Sequence, residues 1–126
     1  MVNGYSPEAT RYIQQAEHNH SFTVVIDKEN YKDWFITGCF YMAVHYVNAY
    51  ASFRGHKFER KDKDRDKGLH FIRYKYVKDK LPELASKYKR LWDESENARY
   101  DPLYFKRFKG DLDKHLGIAL MFSKIV

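Results

Sequence analysis

The sequence predicts an all-α fold, built as one helical domain over residues 1–126. Three observations carry this prediction. A chain of 126 residues suits one domain with one hydrophobic core. It contains only 6 Gly and 3 Pro, so turns should be few and the elements between them long. The longest apolar run, residues 33–54, has the length of a helix and is followed at once by Gly55.

The first two helices are predicted from local signals at their ends. Ser6 suits the N-cap of a helix that runs to about Ile26, and Pro7 suits its first position. A short polar connection precedes the central helix, predicted from about Tyr31 to Phe53, so the two should pack antiparallel. The central helix has a broad apolar surface, which the same chain or a second subunit must cover. Its members are Trp34, Cys39, Met42, Ala43, Tyr46, Val47, Tyr50 and Phe53.

Three further helices are predicted after the central one, and the first of them begins within a charged segment, residues 56–67. The break between the third and the fourth is a Leu-Pro-Glu sequence, and an Asp-Pro pair ends the fourth, because the residue before proline avoids helical geometry. The predicted bounds are about residues 64–80, then Pro82 to Asp101, and finally Asp111 to Ile125. Residues 103–108 are predicted as a connection. The expected architecture is therefore an antiparallel up-and-down bundle of about five helices.

Charge and cysteine content narrow the class of protein. The formal net charge is +6, which makes nucleic acid the first partner to consider, since a basic surface can hold phosphates. The alternative is that the charge only keeps a small protein in solution. The single Cys39 cannot form an internal disulfide, which favours a reducing compartment, and we expect a cytoplasmic protein. Its apolar neighbours predict a buried thiol and not a nucleophile.

The central run is nearly as long as a membrane span. It is interrupted by Thr37, His45, Asn48 and Ser52 and contains no leucine. These residues favour a buried helix of a soluble bundle, so no membrane partner is expected. The polar N-terminal sequence also gives no sign of a signal peptide.

Two elements of the sequence resemble a known family. The first lies in the central helix and consists of Asp33, Trp34, Tyr41, Ala43, His45 and Tyr46. The second lies in the fourth helix and consists of Ser95, Ala98, Arg99 and Tyr100. In their order and spacing, these elements resemble the small prokaryotic proteins of the HEPN superfamily. The resemblance implies a bundle of about five helices that is often a homodimer.

The resemblance also implies an activity. Many HEPN proteins are metal-independent ribonucleases of toxin–antitoxin and phage-defence systems, so it implies RNA as substrate, a cognate antitoxin as partner, and no metal or other cofactor. Their motif is an arginine followed by a polar residue, a few more residues and then a histidine. Arg65, Asp66 and His70 have this form. Histidine can take a proton from a ribose 2′-hydroxyl, and arginine can stabilise charge on phosphate. Alternatively, Arg65 belongs to a solvated charge run and His70 to a helix face.

Five basic residues are candidate contacts to nucleic acid, namely Arg60, Lys61, Arg99, Lys106 and Arg107. The last two alternate with aromatic residues in the sequence YFKRF, a pattern that can stack bases and hold phosphates. The same pattern could instead anchor a connection through its phenylalanines while the basic groups remain in water. For Arg99, the alternative is a buried ion pair with a glutamate of its own helix.

The remaining motifs exclude several classes of site. His45 lies on an apolar face and is expected to be a core residue, with Tyr100, Arg99 or a glutamate of the fourth helix as its partner. The sequence has no ligand spacing for a structural zinc, no phosphate loop, no dinucleotide fingerprint and no Ser-His-Asp signature. Three functional hypotheses remain. The first is a HEPN-like metal-independent endoribonuclease, and the second is a non-catalytic HEPN-like module that binds nucleic acid, a nucleotide or a partner protein. The third is a purely structural dimer with no ligand.

Overall fold

The computed structural model describes residues 6–61 and 68–126. Within these ranges the chain is helical and no residue lies in a strand, which confirms the all-α prediction for them. The α-helices of this part are α1 Pro7–Val25, α2 Lys32–Phe53, α3 Leu69–Lys80, α4 Ala85–Tyr100, α5 Tyr104–Arg107 and α6 Leu112–Met121. Two 3₁₀ helices are also present there, Pro82–Leu84 before α4 and Phe122–Ile125 after α6.

The start of α1 follows its predicted cap. The Ser6 hydroxyl accepts a hydrogen bond from the Ala9 amide at 3.0 Å, and Pro7 is the first helical residue. A hydroxyl acceptor at this position satisfies one of the amides that a helix leaves without a partner, and proline has no amide hydrogen to lose there.

The end of α2 is also as predicted. Gly55 has a φ of 75°, in the left-handed region that glycine adopts without steric cost. Its amide donates to the Ser52 carbonyl at 3.0 Å, and the His56 amide donates to the Ala51 carbonyl at 2.8 Å. This pair of bonds satisfies the last carbonyls of α2 and turns the chain away from its axis.

The core is built around α2, against which α1, α4, α6 and the 3₁₀ helix Phe122–Ile125 all pack. The central apolar surface is largely covered by these elements of the same chain. Cys39 is fully buried, as predicted, and burial raises the pKa of its thiol to about 12. Trp34 and Phe53 differ from the prediction, with 57% and 46% of their surfaces exposed, because they lie in the first turn and at the last residue of the helix. None of the described helices is long and apolar enough to cross a membrane.

The segment 103–108 differs from the predicted connection, because it contains the one-turn helix α5. Its anchor to the bundle is Tyr104, whose buried hydroxyl donates to the Glu94 carboxylate at 2.6 Å. Phe108 stacks on this tyrosine at a centroid distance of 5.5 Å, whereas Phe105 is 39% exposed. This segment is thus held on the bundle mainly by a tyrosine. The predicted start of the third helix near residue 64 lies outside the described residues.

Gly38 allows α1 and α2 to approach closely. A Cβ atom at this position would lie 3.1 Å from Phe22 Cδ2 and 3.2 Å from Thr23 Cγ2. Thr23 is buried, and its hydroxyl donates to the His20 carbonyl at 2.7 Å, so its side chain is held in place. Gly117 in α6 has the opposite surroundings, because a Cβ there would meet nothing within 4 Å.

These surroundings predict different effects of the same substitution. Gly117→Ala should raise the free energy of unfolding by roughly 0.5–1 kcal/mol, because alanine is the better helix former. Gly38→Ala has the same gain in propensity but must displace Phe22 and Thr23, so its stabilisation should be smaller or reversed. Urea unfolding of both variants and the parent measures the difference, and equal stabilisation would contradict the close approach.

Candidate functional site

The predicted catalytic residues do not all fall within the structure. Arg65 and Asp66 lie outside the described residues. His70 is the second residue of α3 and is half-buried. It belongs to a hydrogen-bonded group that we call the arginine cluster, whose members are Tyr41, Asn48, His70, Arg73 and Arg99.

Three helices supply the arginine cluster. Tyr41 and Asn48 are seven residues apart on α2, a spacing of about two turns that places both on one face. His70 and Arg73 are three residues apart on α3, which makes them neighbours on the helix surface. Arg99 reaches the group from the last turn of α4.

The contacts of Arg73 determine the tautomer of His70. Arg73 donates from Nε to Asn48 Oδ1 at 2.9 Å, and its Nη1 lies 3.1 Å from His70 Nδ1. A guanidinium can only donate, so the imidazole Nδ1 must accept. In the neutral ring the proton is then on Nε2, which lies 3.4 Å from the Tyr41 hydroxyl oxygen. His70 therefore presents a donor to Tyr41.

Arg99 approaches Tyr41 from the other side. Its Nη1 donates to the Tyr41 hydroxyl oxygen at 3.1 Å, and its Nε donates to the Ser95 carbonyl at 3.2 Å. The tyrosine oxygen thus faces two donors, while its own O–H proton has no acceptor among the described residues. Arg99 forms no ion pair with any carboxylate of the described residues. The alternative prediction, a buried ion pair with a glutamate of its own helix, is therefore wrong.

Arg73 is a buried cation with neutral acceptors. Only 7% of its surface is exposed, and the groups that accept from it are an amide and an imidazole. The Phe58 ring lies 5.3 Å from the guanidinium carbon. Arg73 and Glu8 both line a cavity of about 140 Å³, but their side chains form no ion pair with each other. A buried charge without a counter-ion is costly, and a bound anion would offset part of that cost.

Burial and the two arginines together hold His70 neutral. Burial lowers the pKa of His70 most, and the charges of Arg73 and Arg99 lower it further, to about 4. The imidazole is consequently uncharged at pH 7. This state is the one in which Nδ1 can accept from Arg73.

Burial also lowers the pKa values of two other histidines. Burial, followed by the charge of Arg73, lowers the pKa of His45. The Nδ1 atom of His45 is buried without a hydrogen-bond partner, and the ring lies beside those of Tyr12 and Tyr41. The prediction that Tyr100, Arg99 or a glutamate of the fourth helix bonds to His45 is therefore wrong. Tyr100, the first of these, is 75% exposed.

His115 on α6 is 2% exposed, and its Nε2 also lacks a partner. Burial lowers the pKa of His115 to about 4, with smaller effects from Glu94, which raises it, and Arg90, which lowers it. Its charged neighbours are therefore separate from the arginine cluster.

The structure brings one of the five candidate nucleic-acid contacts, Arg99, to His70. Arg60 and Lys61 are exposed and are the last two residues of the described range 6–61. Lys106 is exposed, and its Nζ lies 5.8 Å from the centre of the Phe105 ring. Arg107 donates to both carboxylate oxygens of Asp101, at 2.8 and 2.9 Å. None of these four residues forms a hydrogen bond with the described members of the arginine cluster.

Three members of the arginine cluster were not predicted as functional residues. In the sequence, Arg73 resembles an ordinary polar residue of α3 between apolar neighbours. Its spacing of three from His70 does, however, indicate that the two side chains are neighbours on the helix surface. Tyr41 is part of the resemblance to the HEPN superfamily, although no role was assigned to it. Asn48 gives no local signal, because its partner Arg73 is 25 positions away along the chain.

Comparison with protein-family models, with curated proteins and with solved structures found no match. The described residues contain no group of three His, Cys, Asp or Glu side chains that could hold a metal ion.

The lowered pKa of His70 predicts how stability depends on pH. An unfolded histidine takes up its proton near pH 6.5, whereas folded His70 does so near 4. Between these values the unfolded state binds more protons, so stability should fall as the pH is lowered through this window. His45 and His115 contribute in the same direction.

His70→Gln should therefore reduce the slope of the unfolding free energy against pH in that window. Urea unfolding at several pH values measures the slope, and His18→Gln, at an exposed position of α1, is the matched control. If His70→Gln and the parent had the same slope, the buried neutral state of His70 would be wrong.

Proposed function

We propose that this chain is an RNA-directed module of the HEPN-like kind, which binds phosphate groups at Arg99 and Tyr41. One observation carries the proposal. The guanidinium groups of Arg73 and Arg99 converge on the Tyr41–His70 pair, and no carboxylate of the described residues pairs with either of them. Phosphate oxygens, like carboxylate oxygens, match guanidinium donors, and the net charge of +6 favours a polyanion such as RNA.

The available donors are at the Arg99 end of the cluster. Arg99 uses Nε for the Ser95 carbonyl and Nη1 for Tyr41, so its Nη2 group has no described partner. The Tyr41 O–H proton is also without an acceptor in this part of the chain. Both groups belong to half-buried residues, where a hydrogen bond to a charged oxygen is stronger than in open solvent. Arg73 adds positive potential from behind without needing to touch the ligand.

The more specific parts of the proposal are supported by the resemblance to the HEPN superfamily. The antiparallel HEPN-like arrangement, a homodimer, and a cytoplasmic toxin or defence role with a cognate antitoxin are proposed on the elements Asp33 to Tyr46 and Ser95 to Tyr100. The net charge of +6 supports RNA as the ligand, because it attracts polyanions over long distances.

A second candidate function is metal-independent cleavage of RNA. It is favoured by the neutral imidazole of His70 between two guanidinium groups, since a base and an anion stabiliser are the groups that cleavage at a 2′-hydroxyl requires. In the present geometry, however, His70 Nδ1 accepts from Arg73 and Nε2 carries the proton. The ring could act as a base only after Arg73 turned to another acceptor, such as the phosphate. Binding is therefore the function that the geometry supports first.

The binding proposal predicts an asymmetry between two arginines. Arg99→Gln should weaken binding of a short single-stranded RNA by roughly 1.5–3 kcal/mol and reduce the slope of log affinity against log salt by about 0.7, because a charged contact to phosphate is lost. Arg107→Gln is the matched control, since this guanidinium is already paired with Asp101. Fluorescence anisotropy over a range of salt concentrations measures both. Equal losses in the two variants, or none in either, would contradict a phosphate site at Arg99.

The cleavage candidate is tested on the same RNA with EDTA present. If the parent cleaves and His70→Ala does not, His70 has a catalytic role in addition to binding. Equal cleavage by both proteins would exclude His70 from the chemistry. RNA binding without cleavage by either protein would leave binding as the function.

A further inference from the structure

A groove between α1 and α2 leads to the arginine cluster. Trp34, Gly38 and Tyr41 follow one another along one face of α2 and line a cavity of about 330 Å³. Gln15, Asn19 and Phe22 line it from α1. Tyr41 belongs both to this groove and to the arginine cluster, so the groove ends where the proposed phosphate site begins.

The groove presents aromatic surface to solvent. Trp34 in the first turn of α2 is 57% exposed, and Phe22 on α1 is 38% exposed. Gly38 between them has no side chain, and the Phe22 ring lies over it in van der Waals contact range. An exposed tryptophan beside a second aromatic ring is a surface on which a planar ligand can stack.

The polar groups of the groove match the edge of a base better than a charged peptide. None of its lining residues is acidic or carries a permanent charge. The Gln15 amide donates to the Asn19 amide at 3.4 Å, which leaves one donor group and one acceptor without a described partner. Asn and Gln amides can pair with base edges, and those edges are accessible in single strands.

We propose that this groove holds one base of a single-stranded RNA, stacked on Trp34, while the neighbouring phosphate lies at Arg99 and Tyr41. The proposal rests on the phosphate site and specifies its ligand. Seven residues of helix separate Trp34 from Tyr41, which is about 10 Å along the axis of α2. Both side chains line the groove, so a base at Trp34 and a phosphate at Tyr41 would lie towards its two ends. Duplex RNA should not enter the groove, because its bases are paired and stacked on one another.

The test uses a short single-stranded RNA with 2-aminopurine, whose fluorescence falls when the base stacks. Trp34→Leu should weaken binding of this RNA roughly tenfold or more and abolish the quenching, because the stacking surface is lost. Trp34→Phe should retain most of both effects. Binding of inorganic pyrophosphate should be the same in Trp34→Leu as in the parent. Phe105→Leu, which removes an exposed ring on α5, is the matched control.

The possible results separate this inference from the phosphate site. If Trp34→Leu binds and quenches like the parent while Arg99→Gln binds weakly, the base site is wrong and the phosphate site stands. If Arg99→Gln and Arg107→Gln bind equally, the phosphate site is wrong, and the base site that rests on it is also wrong. If Trp34→Leu weakens pyrophosphate and RNA alike, the tryptophan supports the fold of the cluster and the base site is overturned.

A second copy of the chain is the competing occupant of the groove. Sedimentation of the parent and of Trp34→Leu distinguishes it. A parent dimer that becomes a monomer in Trp34→Leu would identify the groove as a subunit interface and overturn the base site. An unchanged association state, together with the loss of quenching, would support the base site. Phe22→Leu gives a second, independent variant of the same surface, with the same expected loss of quenching.

Discussion

The site depends on the buried guanidinium of Arg73. It is held by neutral acceptors, Asn48 Oδ1 and His70 Nδ1, and no carboxylate of the described residues forms an ion pair with it. Because arginine cannot lose its proton, it forces one tautomer on His70 and contributes to the lowered pKa of that ring. The Nε2–H of His70 and Nη1 of Arg99 then both face the Tyr41 oxygen. One buried charge thus sets the direction of both hydrogen bonds of His70.

The fold holds these groups in place through α2. This helix is covered on most sides by the rest of the chain, and it supplies both Tyr41 and Asn48. The residues of α3 and α4 need only approach one face of it to complete the cluster. The first turn of α2 is less well covered, and Trp34 is exposed there. The same helix therefore provides the buried end of the site and its open, aromatic end.

The helix boundaries could be predicted from sequence because their signals are local. Ser6, Gly55 and the two prolines at 82 and 102 each act within one turn of the chain. The site could be predicted only in part, since His70 and Arg99 were candidates whereas the partner of each was not. Arg73 contacts residues that are far away in sequence, such as Asn48, and no periodic pattern in the sequence predicts such contacts. His45 shows the same limit, because its expected partners in the fourth helix were wrong and its neighbours are tyrosines of α1 and α2.

Titration of the His70 imidazole by NMR, with and without saturating inorganic pyrophosphate at constant ionic strength, tests the central claim most directly. The charges of Arg73 and Arg99 help to lower the pKa of this ring to about 4, so an anion bound beside them should raise it. His115, whose charged neighbours are Glu94 and Arg90, is the internal reference and should not follow. A clear upward shift at His70 alone is the expected result. An unchanged His70, or an equal shift at His115, would contradict an anion site at the arginine cluster.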